Sequence, residues 1–347
     1  MKQFDYSQLQ LSSLFNKVLG LLCFGFLILS GVNATAQIAV NQASTTGEVE
    51  QLVENVLLGS CVTASNVSYT GPASAAGTFN ASGTTFTMQN GILLTTGRAN
   101  IAIGPDNDND AGLDQNRPGF SDLTAIAGVG TNDAVILEFD FVPEDDTLTF
   151  RYVFASEEYP EWVNTQYNDV FGFFMAGPGL SGPYTAPAGF PGGSANIALI
   201  PGTTTPVAIN NINNGNSNSE PANGPCENCA YYVENGGGPD VQYDGYTTVL
   251  TAQAIVTPCQ TYHIRLAIAD AGDGIYDSGV FLEAGSFSSG GGITVDFSGV
   301  AIEEGCSDEY IVFRRVDLSN NSNPIGATYT ISGSATMGAD YNTFPTT

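Results

Sequence analysis

The stretch Asp106-Asn107-Asp108-Asn109-Asp110-Ala111-Gly112-Leu113-Asp114 places oxygen-bearing side chains along a short segment, with Asp on alternate residues at its start. Calcium takes six to eight such oxygens, so Asp106, Asp108, Asp110 and Asp114 are candidate ligands. The stretch departs from a helix-loop-helix calcium site, because its Gly falls one place late, Arg117 occupies the twelfth position and no helical pattern flanks it. Its other reading is a solvated turn whose Asn and Asp side chains cap their own backbone. A second set of acids is dispersed: Glu157 and Glu158, then Asp169, then Asp270, Asp273 and Asp277 in a Gly-rich turn. Carried to one sheet edge, these acids would make a second calcium site. The alternative is carboxylates bonded to turn amides.

Other chemistries find less support. A glycoside hydrolase needs two carboxyl groups roughly 5–10 Å apart, whereas Glu157 and Glu158 are adjacent and an extended chain sends neighbours to opposite faces. The sequence has one histidine, His263, in Thr261-Tyr262-His263-Ile264-Arg265-Leu266-Ala267-Ile268. There Tyr262, Ile264, Leu266 and Ile268 form a buried face and His263 and Arg265 project from the other, a structural rather than catalytic position. No Gly-rich phosphate loop opens a helix. Trp162, Tyr167, Tyr184, Phe190, Tyr231 and Tyr232 fall in loops. Of these, Trp162, Tyr167, Tyr231 and Tyr232 are the candidate platform for a glycan or protein surface, unless they fold back over a sheet edge.

The elements that position these residues are strands. Short runs of aromatic and β-branched residues, separated by Gly, Asn, Asp and Pro, predict strands over Gly91-Thr95, Asp133-Phe141, Asp146-Ala155, Val170-Ala176, Ala195-Ile200, Thr247-Val256, Thr261-Ala269 and Gly279-Ser286. No helical segments of βαβ length lie between them, which excludes a Rossmann or barrel scaffold and favours an all-β, two-sheet sandwich of jelly-roll-like type. One short N-terminal helix is expected: Thr45-Thr46-Gly47-Glu48 has the spacing of a capping box, and Val49, Leu52, Val53, Val56 and Leu57 recur at three and four before Gly59. Residues 201–238 are polar and read as a long surface insertion.

The chain opens with Lys2 and Lys17, an apolar run over 18–32, and Ala34-Thr35-Ala36. That is the pattern of a signal peptide cleaved after Ala36, and no later segment is apolar and long enough to span a bilayer. The protein is thus expected to be exported, to the cell surface or beyond. A net charge of −27 excludes nucleic acid as a partner. It also calls for counter-cations if the fold is compact. Both lysines lie in the leader, leaving a Gly-, Ser-, Thr- and Asn-rich chain of extracellular character. Five cysteines remain after cleavage. In an oxidising compartment, Cys226 and Cys229 are close enough to bridge, Cys61 and Cys259 form the plausible long-range pair, and Cys306 is left over.

Residues 154–175 (FASEEYPEWVNTQYNDVFGFFM), 196–213 (NIALIPGTTTPVAINNIN) and 262–287 (YHIRLAIADAGDGIYDSGVFLEAGSF) together resemble the choice-of-anchor L domain family, over roughly residues 48–288. The resemblance implies an exported bacterial surface protein of Bacteroidetes-like type whose anchoring signal lies at the far C-terminus, and it implies no enzymatic activity. The segment TYTISGSATMGADYNTFP at 328–345, with Gly338, Asp340 and Tyr341, resembles the start of a Calx-beta-like adhesin repeat. The expected organisation is a signal peptide over 1–36, a β-sandwich over 37–288, a Gly/Ser linker over 289–292 and an incomplete β module over 293–347, with further C-terminal domains to follow. The expected function is calcium-stabilised adhesion or binding through surface loops. The alternatives are a secreted carbohydrate-active hydrolase with paired carboxylates, or a structural surface spacer.

Overall fold

A computed structural model describes residues 36–216 and 225–289, and the backbone alone of 292–297 and 311–316. The expected leader, Cys306 and most of the expected C-terminal module lie outside the described residues.

The capping box forms as its spacing predicts. Thr45 Oγ1 accepts the Glu48 amide at 3.2 Å, and Glu48 Oε2 reaches back to the Ser44 amide at 2.7 Å. Helix α1 covers Thr46–Leu52 and continues into one wider turn over Val53–Leu57. Val49, Val53 and Leu57 are buried against the sandwich. A second helix, α2 (Ser121–Ala127), was not foreseen.

Among the described residues there are sixteen strands. The first eight are β1 (Ala39–Gln42), β2 (Val62–Thr70), β3 (Ala76–Asn80), β4 (Asn90–Thr95), β5 (Thr131–Pro143), β6 (Thr147–Ser156), β7 (Val170–Ala176) and β8 (Ala195–Asn196). Then come β9 (Tyr232–Glu234), β10 (Gly245–Thr247), β11 (Leu250–Ile255), β12 (Tyr262–Ala271), β13 (Ser278–Glu283), β14 (Ser288–Ser289), β15 (Gly292–Phe297) and β16 (Ile311–Val316). One sheet has the order β1-β3-β4-β13-β6-β10-β9, with β11 and β14 also on β6. The other has the order β2-β5-β12-β7-β8, and among the described residues β15 pairs with β16. The ladders are antiparallel, so the expected all-β sandwich is present.

Strand parity builds the core. Leu148, Phe150, Tyr152 and Phe154 of β6 face Phe171, Phe173 and Met175 of β7 and Tyr262, Ile264, Leu266 and Ile268 of β12 in one continuous apolar cluster. Phe150 packs its ring 4.8 Å from Phe173 and 5.2 Å from Phe287. Alternate residues serve smaller outer clusters: Val153, Ala155 and Phe281 on one sheet, and Phe174, Ala267 and Ala269 under α2 on the other.

Several expected boundaries change. The strand expected over Ala195–Ile200 shrinks to β8, because Asn196 Oδ1 accepts the Phe173 and Ala198 amides, each at 3.0 Å, in place of a ladder carbonyl. The strand expected over Thr247–Val256 divides into β10 and β11, with Thr247 Oγ1 taking the Phe154 amide at 3.1 Å. The polar insertion is partly core. Val207, Ile209 and Ile212 are buried, and Tyr159 donates its hydroxyl to the Ile212 carbonyl at 2.7 Å. The linker starts inside the fold, since Ser288 and Ser289 pair with Thr149 and Leu148. Cys226 and Cys229 are bonded, whereas Cys61 and Cys259 are free, exposed thiols. The Cys61 carbonyl accepts the Glu144 amide and the Cys259 amide donates to the Pro143 carbonyl, so the two cysteines flank the end of β5 on opposite sides. Strands two places apart are separated by about 9–10 Å, beyond the roughly 7 Å between Cα atoms that a bridge spans.

Candidate functional site

Antiparallel pairing brings the dispersed acids together. Ser156, at the end of β6, pairs with Ser278 at the start of β13 and with Gly245 at the start of β10. In the other sheet Ala271, at the end of β12, pairs with Thr131 at the start of β5, and Ala269 with Val170 at the start of β7. These six strand ends and the segments leaving them carry Glu157, Glu158, Asp169, Asp244, Asp133, Asp270, Asp273 and Asp277. A register shift between Ile268 and Asp270 marks where β12 leaves the regular ladder.

Asp169, Asp270, Ser156 and Ser278 continue the inward parity of their strands and close the end of the apolar core. Asp169 is fully bonded: Oδ1 accepts the Ala271 amide at 2.8 Å and Oδ2 the Ser278 hydroxyl at 2.7 Å, and Ser278 also meets Ser156 Oγ at 2.8 Å. Asp270 lies beside Asp169, Asp277 and Thr96, yet neither of its buried oxygens has an aligned donor. Asp277 Oδ1 accepts the Leu113 amide at 3.0 Å, and the Arg98 amide stands beside the same buried carboxylate. Glycine at 97 lets the chain pass against Asp277, whose carboxylate a Cβ there would strike.

Glu157 and Glu158 diverge. Glu158 lies near Asp169, Asp273 and Glu161, and Glu157 near Asp244, Asp106, Asp277 and Asp108. Both are buried; both Glu157 oxygens and Oε2 of Glu158 lack a protein donor. Sequence reasoning missed Asp133 and Asp244, both buried. Each stands alone at the entrance to a strand, and solitary acids carry no motif.

The stretch 106–114 does not wrap around a point of its own. Asp106 turns inward, accepting the Gly237 amide at 2.6 Å and the Gln242 side-chain amide at 3.3 Å. Asp108 and Asp110 are exposed. Asp114 Oδ1 caps the Asn116 amide at 2.7 Å, beside Asp133, which holds the Gln115 and Arg117 amides at 2.7 Å each. Asp114 and Asp273 instead line an open cleft of about 530 Å³ with Asn116, Arg117 and Asn132.

The electrostatics follow from burial among like charges. Burial first, then Asp244 and Asp106, push the Glu157 carboxyl up to about 11. Burial also raises Asp277 to about 7 against the pull of the Leu113 amide, and raises Glu158, Asp169 and Asp270 from the usual carboxylate range. The four ion pairs among the described residues lie elsewhere: Arg151–Glu283, His263–Glu138, His263–Asp140 and Arg265–Asp122. None of these four pairs involves the buried acids of this end, where Arg117 acts on Asp133 alone among them. Among the described residues no three acidic, His or Cys side chains stand in the tight array of a preformed metal centre, so a cation would have to draw them inward. The available donors are oxygens, the chemistry of calcium rather than zinc.

The sequence profile of the choice-of-anchor L domain matches residues 39–288. The chain belongs to that family. No curated protein and no solved structure matches it. Choice-of-anchor domains are not an enzymatic family, and membership points to a surface-anchored or exported protein. No helix among the described residues is long and apolar enough to cross a membrane.

In this choice-of-anchor L domain the loop aromatics fold back. Tyr184 packs 4.8 Å from Phe174, Phe190 packs 6.0 Å from His263, Tyr232 packs 4.9 Å from Tyr159, and Tyr231 packs against the core. Trp162 and Tyr167 are half-buried with ring centres 5.0 Å apart, and Trp162 also meets Tyr276 at 6.1 Å. This trio borders the acidic end, where Ile275 is 54% exposed.

Proposed function

We propose that this is an exported surface domain that binds an extracellular glycan or protein surface through the loops at the acidic end of the sandwich, with calcium holding those loops in place. The observation that carries this reading is the state of Glu157 and Asp270. Both are buried among other acids: neither Glu157 oxygen has a protein hydrogen-bond donor, and Asp270 has only the Thr96 side chain beside it. An ionised carboxylate so placed costs several kcal/mol unless it is paired. A hard divalent cation supplies that pairing through several carboxylates at once. The loops it would join include 106–114 and 271–277, which carry Asp114, Asp273, Ile275 and Tyr276, with Trp162 packed against Tyr276.

Thermal unfolding of the chain from Gln37 onward, in calcium and in chelator at matched ionic strength, tests the cation. At about 100 times its dissociation constant a ligand of the native state adds ~2.7 kcal/mol, which is roughly 5–10 °C in midpoint for a domain of this size. An unchanged midpoint contradicts calcium binding. Binding to arrayed glycans and to isolated surface proteins, repeated with chelator, tests the loops. Calcium-dependent capture supports the reading, and no capture on either contradicts it.

A further inference from the structure

We propose that the open cleft beside the acidic end is a saccharide site, taking a neutral sugar unit through Asp114, Asn116, Arg117, Asn132 and Asp273 with the ring of Tyr167 at its border. This rests on the glycan half of the reading above and names the ligand class and the position. The cleft, of about 530 Å³, has the size of a small-molecule site, and three separate segments form it. Buried Asp133 fixes the first, holding the Gln115 and Arg117 amides at 2.7 Å each. Asn132 ties the segment 272–274 to β5, its Nδ2 donating to the Asp273 carbonyl at 2.9 Å, and the Gly272 amide donates to the Gly130 carbonyl at 2.9 Å. The polar walls are thus set before a ligand arrives, which lowers the ordering cost of binding.

The lining decides the ligand class. Ionised Asp114 and Asp273 only accept hydrogen bonds, Arg117 only donates, and the carboxamides of Asn116 and Asn132 do both. Arg117 Nε is buried with no acceptor, and Arg117 takes part in none of the ion pairs among the described residues. Two carboxylates repel an anionic ligand. An ammonium has no acceptor, so it would leave the guanidinium and carboxamide donors unmatched. Neighbouring hydroxyl groups, each both donor and acceptor, match both halves of the lining on a neutral frame. A peptide adding by its main chain does not fit, because Asn132 is already paired with Asp270 on one side and bridged to Pro118 on the other, and such addition needs an open strand edge. The border supplies a flat apolar surface. A Cβ at Gly272, where φ is +92°, would stand 3.0 Å from Tyr167 Cδ1, so glycine lets this ring lie against the cleft wall, with the Trp162 ring centre 5.0 Å from it. An aromatic face beside convergent polar groups takes the C–H face of a sugar ring while the hydroxyls turn to the polar side.

Arrays of glycans with neutral, acidic and amino-sugar termini test this, probed with the chain from Gln37 onward in calcium, beside capture of isolated surface proteins in the same buffer. Asn116→Gly removes one carboxamide and tolerates the φ of 54° at that position, and Arg117→Gln removes the guanidinium. Asp273→Asn, which keeps the shape of the side chain, replaces either variant if it fails to fold. The expected result is capture of neutral termini by the unaltered chain, weakened about tenfold in each variant at an unchanged thermal midpoint. Undiminished capture in either variant overturns the cleft as the site and leaves the loop-binding reading standing. Capture confined to acidic or amino-sugar termini overturns the neutral ligand. Capture of proteins without any glycan overturns the saccharide inference alone, and capture of neither overturns it together with the reading on which it rests.

Discussion

Phe150 and Glu157 lie on, and just beyond, the same strand, and both are completely buried. Around Phe150 the sequence supplies all that burial requires: Phe173 and Phe287 close over its ring, and apolar contact has no further needs. Around Glu157 the sequence supplies more acids. The middle of the sandwich is self-sufficient, whereas its end holds buried carboxylate oxygens that protein donors do not satisfy. The same antiparallel pairing that interleaves the core delivers the carboxylates of six strand ends to one place, so the contrast is a property of the topology.

The largest effect that would sharpen the contrast is Phe150→Ala. It should cost about 3–5 kcal/mol, measured by denaturant unfolding, and cost the same with calcium or chelator. A calcium-dependent loss would show that middle and end are not separable.

Between pH 5 and 9, pH should act on the end. Glu157, Asp277, Glu158, Asp169 and Asp270 all bind protons more tightly folded than unfolded. Their stabilising protonation is complete below the unfolded value near 4, and it is lost as pH rises through the folded values, about 7 for Asp277 and about 11 for Glu157. In chelator, stability should therefore fall steadily from pH 5 to 9. Saturating calcium, which competes with those protons, should flatten or reverse the slope. Parallel slopes in the two conditions would break the account.

Glu157→Gln should change sign with the solution. In chelator the neutral amide removes the cost of protonating the buried carboxyl and stabilises by about 1–3 kcal/mol; in calcium it leaves the chain less stable than the unaltered one. Destabilisation in both conditions would mean that the carboxylate serves packing alone. The smallest effect is expected at Asp108→Asn: its side chain is exposed, so stability should move by no more than ~0.5 kcal/mol and the calcium-induced rise in midpoint should persist. Loss of that rise would return the site to the 106–114 stretch.

The sequence made the middle easy to read and the end only partly so. Runs of aromatic and β-branched residues identified β5, β6, β7, β12 and β13, although only β5 alternates between buried and half-buried positions and β7 and β12 are buried on both faces, and the capping box identified α1. Helix α2 escaped because Phe120 caps it without a side-chain bond, and Gly128, at φ 77°, ends it after seven residues. Ile209 and Ile212 read as loop because they sit among asparagines. Asn213 Nδ2 donates to the Ile209 carbonyl at 3.0 Å, satisfying backbone that would otherwise need water. For the acids, Glu157, Glu158, Asp169, Asp270 and Asp277 were legible as residues at strand ends. Asp133 and Asp244 were not, and Asp106 was grouped with Asp108 and Asp110, from which burial separates it. Linear spacing describes a loop that wraps its own ligand; here long-range pairing makes the group, and that leaves no local signature.

Amide hydrogen exchange of the chain from Gln37 onward, with calcium and with chelator, tests the division between middle and end most directly, because it reads local opening residue by residue. The expected result is that calcium slows exchange at Leu113, Glu157, Ala271 and Ser278 while leaving Phe150, Tyr152 and Leu266 unchanged. Equal exchange in the two conditions at the acidic end, or a uniform change across both regions, would contradict it.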